Sequence, residues 1–203
     1  DEVRLQMLKN QINPHFLFNT LNMIASTAQI EDADTTEKMI HALSRLFRYN
    51  LKSTDSVMPL ERELKVVQDY MYLQQMRFGQ RIRYDTDCKP DTMEVLVPSF
   101  ALQPLVENAI IHGISPKGQG GRIHVRSWME GRRLWISVAD TGRGMAQERL
   151  EEIRLALARG EEKATGVGVG NIYRRVHGMY RDGEVFIYSS EGRGTVVQMA
   201  FTP

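Results

Sequence analysis

Residues 11–22 read QINPHFLFNTLN, and the spacing of their apolar side chains predicts one helix with two unlike faces. At about 100° per residue, Leu17, Leu21, Ile24 and Ala28 fall on one side, while His15, Asn19 and Asn22 gather on the opposite side. The apolar side needs a packing partner and the other side faces water. A histidine placed there is either an ordinary solvated side chain or a nucleophile, since an imidazole titrates close to neutrality and is largely uncharged near pH 7. Pro14 removes a backbone hydrogen bond next to it, so a local bend is expected beside His15.

Outward from this helix, the first 79 residues read as almost wholly helical. Leu5, Leu8 and Ile12 lead into the Leu17 stripe. The segment EDADTTEK breaks the pattern, and Asp34 followed by Glu37 resembles a capping box that opens a second helix through Met39, Leu43, Leu46 and Asn50. Pro59 fits the first position of a third helix carrying Leu60, Leu64, Val67 and Met71, which should end at Gly79. A two-helix hairpin cannot cover both of its apolar flanks. Pairing with a second copy into a four-helix bundle is the economical solution.

From Arg81 the texture changes to alternating, strand-like runs: IRYDTD, GRIHVRSWM, RLWISVAD, EVFIYSS and GTVVQMAF. Helical stretches separate them, one from Pro98 to His112 and one from Asn171 to Tyr180. Residues 147–165 are helix-forming but strongly charged and read as a mobile lid rather than core. The expected class is α+β, with residues 1–79 a helical-hairpin dimerisation domain and residues 80–203 an α/β sandwich in which helices cover one face of a mixed sheet.

Composition narrows the function. The 203 residues are 42% hydrophobic and 25% charged, enough for a real core. With 26 basic and 25 acidic residues, the net charge of +1 supplies no broad field for nucleic acid or a membrane surface. Cys88 is the only cysteine, so no internal disulfide can form and a reducing, cytoplasmic setting is expected. No long apolar run or signal-peptide pattern occurs, and the abrupt helical start suggests a piece of a longer chain.

Three clusters in the second half carry chemistry. In LQPLVENAIIHG, Glu107 and Asn108 interrupt an apolar helix face, and a carboxamide oxygen is a hard ligand suited to Mg²⁺; a solvent-facing helix end is the plain alternative. In ADTGRGM, Asp140 ends a strand, and Gly142 and Gly144 permit a turn that lets a flat ligand approach the backbone. A carboxylate there could accept the exocyclic amine of adenine, or the segment is a simple turn. In GVGVGN, residues 166–171, bare N–H groups at a helix start favour phosphate. No preceding strand completes a dinucleotide-binding fingerprint and no GxxxxGK[ST] occurs.

The ordered set NPHFLFN, VENA, DTGRGM, GVGVGN and EGRGT resembles the sensor histidine kinases of two-component signalling, in the LytS/YesM-type branch. The likeness covers nearly the whole chain. It implies a dimerisation and histidine-phosphotransfer hairpin followed by a Bergerat-type ATP-binding sandwich. By the same resemblance His15 is the phosphoacceptor, Asn108 the Mg²⁺ ligand and Asp140 the adenine reader. Gly142, Gly144 and Met145 would shape the base pocket, Gly166, Gly168, Gly170 and Asn171 the phosphate loop, and Thr195 a polar group near the base.

The resemblance further implies ATP and Mg²⁺ as cofactors, a homodimer, a response regulator as partner and a full-length protein anchored in the membrane. Two departures stand out. The lysine that many relatives place three residues after the metal asparagine is Ile111 here, with His112 or Lys117 as candidates to compensate. The acid that many place directly after the phosphoacceptor is Phe16, with Glu107 as the candidate proton acceptor. Asn19, one turn after His15, could orient a water against a regulator's phospho-aspartate, giving a phosphatase activity. A nucleotide-binding module that switches conformation without phosphorylating itself, and a weak ATPase, are the competing readings; the exposed His15 and the hairpin before the sandwich argue against them.

Overall fold

The computed structural model describes residues 14–52, 56–160 and 167–203. Helix α1 (Pro14–Ile30) turns through Asp32, whose φ is 54°, into α2 (Asp34–Lys52). The expected bend before His15 lies outside the described residues. Leu21, Ala25 and Ala28 of α1 are buried with Ala42, Leu46 and Tyr49 of α2. Ile24, expected in the stripe, is exposed instead and Ala25 takes its place; His15, Asn19 and Asn22 are exposed as the periodicity requires. Asp34 is the first helical residue of α2, so the cap falls one residue earlier, where the Ala33 carbonyl accepts the Glu37 N–H at 3.0 Å.

Strand β1 (Val57–Pro59) follows, ending at Pro59, which caps α3 (Leu60–Phe78) rather than opening it. Gly79, at φ 64°, ends this helix. Strand β2 (Ile82–Cys88) leads to β3 (Leu96–Pro98), which pairs antiparallel with β1. The helix expected from Pro98 begins only at Gln103. Pro98 ends β3, and the Ser99–Leu102 turn is spent on buried hydrogen bonds to α3. Helix α4 (Gln103–Asn108) continues as a π-helical turn (Ala109–Ile114).

Strands β4 (Gly121–Glu130) and β5 (Arg133–Asp140) form a hairpin. Helix α5 (Gln147–Ala158), helix α6 (Val167–Met179), β6 (Glu184–Ser190) and β7 (Gly194–Phe201) complete the chain. The sheet order is β2-β4-β5-β7-β6, with β2 and β4 parallel and the other neighbours antiparallel. Inward residues of alternate register, among them Ile123, Val125, Leu134, Ile136, Val138, Met199 and Phe201, share one core with Leu102, Val106, Ile110, Ile172 and Val176 from the covering helices.

One expectation changes. The segment expected to be a charged lid begins as an ordered helix, α5, because Leu150, Ile153 and Leu157 recur at helical spacing and are buried in that core. Leu60, Val67 and Met71 of α3 lie in the same core. No helix among the described residues is long and apolar enough to cross a membrane.

Candidate functional site

Sheet register brings three polar side chains into one row. Asp140 on β5 pairs with Thr195 on β7, and Thr195 pairs with Ser189 on β6, all facing the helices. Burial pushes the Asp140 carboxyl up from its ordinary range, and backbone N–H groups of Gly142 and Thr195 pull it back. Its Oδ1 accepts the Gly142 N–H at 2.8 Å. A Cβ on Gly113, in the π turn, would lie 2.7 Å from that same oxygen, and one on Gly142 would collide with the Gly113 backbone. Two glycines therefore let the π turn and the ADTG turn touch while the carboxylate stays open to a ligand. The Arg143 N–H to the Gly113 carbonyl, 2.9 Å, ties the two segments together.

Above this floor lies a cavity of about 260 Å³, walled by apolar groups such as Leu105, Ile153, Ile187 and Val197 and reached by Asn108, His112, Asp140, Gly144, Met145 and Thr195. Its shape, largely apolar walls around one half-buried carboxylate, suits a flat heteroaromatic base with an exocyclic amine. The Met145 N–H donates to Ser189 Oγ at 2.9 Å; Ser189 donates to the Gly194 carbonyl at 3.0 Å and lies 2.9 Å from Thr195 Oγ1. Sequence reading missed Ser189. A small polar residue at an inward register position of EVFIYSS was the available signal.

Asn108 lies on the cavity wall where α4 meets the start of α6. A side chain at Gly168 would run into the Asn108 amide and the Pro104 backbone, so Gly168 serves close helix approach beside Asn108. Among the described residues no three His, Cys, Asp or Glu side chains converge, so a cation here would share the hard carboxamide oxygen with phosphate oxygens of the substrate, a donor set that fits Mg²⁺.

Other expected site residues lie elsewhere. Gly168, Gly170 and Asn171 fall within the first turns of α6 and do not line the cavity, and exposed Asn171 accepts from Arg174. Gly166 and the side chain of Lys117 lie outside the described residues. Glu107 faces away from the cavity, held by Gln103 at 2.8 Å beside Tyr70, whose hydroxyl burial and then the Glu107 charge push up to about 12. His15 and Asn19 sit together on α1 with a 3.2 Å hydrogen bond, and α1 contributes nothing to the cavity lining.

A second buried polar cluster joins the hairpin to the sandwich. Glu63 of α3, 1% exposed, accepts from the Tyr49 hydroxyl of α2 and from the N–H groups of Phe100 (2.9 Å), Ala101 (3.0 Å) and Leu102 (3.1 Å). Burial pushes the Glu63 carboxyl up, against the pull of these donors. Phe100, at φ 59°, presents its N–H to this carboxylate, and Arg175 of α6 donates to the neighbouring Ser99 carbonyl. Arg45 of α2 adds a two-pronged ion pair to Asp69 of α3, both contacts 2.7 Å.

The histidine kinase family profile matches residues 3–82, and that of histidine kinase-, DNA gyrase B- and HSP90-like ATPases matches residues 98–203. The chain is 36% identical over 186 residues to the sensor histidine kinase YpdA of Escherichia coli, covering 90% of this chain and 32% of that protein. It is 33% identical over 197 residues to the sensor protein LytS of Staphylococcus saprophyticus, covering 97% and 33%, and 30% identical over 197 residues to the sensor histidine kinase YesM of Bacillus subtilis, covering 96% and 32%. It thus spans about a third of the length of these relatives. The histidine kinase domain of the blue-light activated kinase EL346 of Erythrobacter litoralis shares the fold at a TM-score of 0.53 and 18% identity, covering 98% of this chain and 90% of that one.

Proposed function

The chain belongs to the LytS/YesM-type sensor histidine kinases, and on that premise we propose that it moves the γ-phosphoryl group of ATP to a nitrogen of His15 and then to an aspartate of a separate response regulator. The observation that carries this reading is the pairing, in one chain, of a half-buried carboxylate in a glycine-lined pocket with a histidine exposed on a helix.

Asp140 reads the adenine amine through its free acceptor positions, while Gly113 and Gly142 keep the base's edge clear of side chains. Leu105, Ile153 and Ile187 exclude water from the base. Asn108 would hold Mg²⁺, which would supply charge neutralisation to the phosphates. His112 on the cavity rim is the candidate phosphate contact in place of the missing lysine at Ile111. We keep the phosphate-loop role for the GVGVGN run, of which Gly168, Gly170 and Asn171 lie at the start of α6. Glu107, facing α3, is the less favoured proton acceptor. The sandwich has to dock against α1 for transfer, since no lining residue comes from α1.

Phe16, Met23, Ile24 and Ile30 remain exposed on α1, which supports a homodimer that buries them in a four-helix bundle. α3 packs on the sandwich as well as on α2, and we propose residues 1–79 as the dimerisation and phosphotransfer part and residues 80–203 as the ATP-binding part. A membrane anchor in the full-length protein and a cytoplasmic place for this part are proposed from kinship with sensor proteins alone. Incubation with γ-labelled ATP tests the activity: label stable in alkali and lost in acid is expected, and label with the reverse stability contradicts it.

A further inference from the structure

A hydroxyl can give or accept a hydrogen bond, and the direction it takes decides which chemistry a pocket admits. Thr195 lines the base cavity beside half-buried Asp140, its partner across β5 and β7. Ser189 does not line the cavity, yet it stands behind Thr195 in the β6–β7 pair. Its Oγ accepts the Met145 N–H at 2.9 Å, and its hydrogen goes to the Gly194 carbonyl at 3.0 Å. Thr195 Oγ1 lies 2.9 Å from the same Ser189 oxygen. A serine hydroxyl has one hydrogen and a carbonyl has none to give. With the Ser189 hydrogen spent on Gly194, the hydrogen in the third contact comes from Thr195.

We propose that Ser189 is a specificity-determining positioning residue: by drawing the Thr195 hydroxyl hydrogen away from the cavity, it leaves a floor of acceptors alone, Asp140 and Thr195 Oγ1. Such a floor selects a purine with an exocyclic amine over one with a carbonyl at the same place. The proposal rests on the reading of Asp140 as the group that meets the base. The Asp140 carboxylate takes the Gly142 and Thr195 N–H groups and still has acceptor positions left. An amine brings hydrogens to this floor. A carbonyl sets lone pairs against lone pairs and strands both acceptors away from water, so the wrong base is rejected by more than the bond it fails to make.

Fixed backbone holds the relay at its far end. The Gly192 N–H donates to the Arg143 carbonyl at 2.6 Å, and a Cβ on Gly144 would collide with the Ser190 carbonyl, so the segment carrying the Met145 N–H is pressed against the β6–β7 turn. Without the Ser189 hydroxyl, the Thr195 hydrogen has no acceptor behind it and turns into the cavity, where it meets a carbonyl on the base. The relay therefore acts on the identity of the base through Thr195 and touches neither the phosphates nor His15.

The test is calorimetric titration of the whole chain with ATP and with inosine triphosphate, whose base carries a carbonyl in place of the amine and a hydrogen on the adjoining ring nitrogen. The parent should bind ATP more tightly. Ser189→Ala should lower the ratio of the two affinities about tenfold, the size of one hydrogen bond gained by the carbonyl, while Ser189→Thr, which keeps a hydroxyl, should hold the parental ratio. Lost packing alone weakens both nucleotides alike and leaves the ratio where it was. In a Thr195→Val background no hydroxyl remains to redirect, so adding Ser189→Ala should not change the ratio. A parental ratio in Ser189→Ala, or the same drop in the Thr195→Val background, overturns the proposal and leaves the reading of Asp140 standing. Equal affinity of the parent for both nucleotides overturns the two together.

Discussion

On α1, His15 and Asn19 stand on a solvent-facing surface with small side chains' reach between them, whereas Asp140 lies at the floor of an apolar cavity with its oxygen already engaged by the Gly142 N–H. On the proposed function, the recognition half is built before its ligand arrives and the acceptor half is left open. That division has a physical reason. A nucleotide base is recognised by desolvating it, which needs fixed walls and a matched buried acceptor, while a phosphoacceptor must meet first an ATP-loaded sandwich and then a regulator, and burial would bar both. The polar cluster around Glu63 joins the halves without filling either role.

The comparison makes substitutions in the two regions fail differently. The largest effect is expected from His15→Gln: labelling by ATP falls to background while calorimetric ATP affinity stays at the parental value. A matching loss of affinity would show that the histidine supports the pocket and would break the contrast. Gly142→Val, whose side chain has to enter the Gly113 backbone, should lose both, with affinity down by more than about tenfold.

Glu63→Ala comes next, because it strands the Phe100, Ala101 and Leu102 N–H groups in a buried site. A destabilisation of about 3–5 kcal/mol is expected in denaturant unfolding. A cost under about 1 kcal/mol would mean that the turn finds other partners. Asp140→Asn should weaken ATP binding by about 1.5–3 kcal/mol, the worth of a charge-assisted hydrogen bond. The pH dependence sharpens this. Burial raises the Asp140 pKa, and protonation removes an acceptor, so parental affinity should fall as pH drops through a point above the ordinary aspartate range, and Asp140→Asn should show no such step. Equal ATP and GTP affinity in the parent would contradict the base-reading role.

Tyr49→Phe removes one donor to Glu63 and should cost about 1 kcal/mol, read as a lowered melting temperature with nucleotide affinity unchanged. Unaltered melting would show that the three backbone donors hold Glu63 by themselves.

Much of the fold was legible because period is a local property. The five sheet strands, the hairpin and the end of α3 at Gly79 follow from alternation, helical spacing and a positive-φ glycine. Charge misled the reading of α5, since Leu150, Ile153 and Leu157 keep a buried stripe under a charged surface. Glu63 was invisible for the converse reason: an acid in the first turn of a helix reads as solvated until the Ser99–Leu102 turn is folded over it. In the site, Asp140, Gly142 and Gly144 stand out as turn chemistry. Ser189 depends on strand register, which no single segment encodes.

The most direct measurement is to locate the phosphoryl group itself. After incubation of the unaltered chain with ATP and Mg²⁺, fragmentation and mass spectrometry under alkaline conditions should find one phosphate, on His15. A phosphate on any other residue, or ATP hydrolysis with no phosphorylated chain, would contradict the division between an open acceptor helix and a preformed nucleotide pocket.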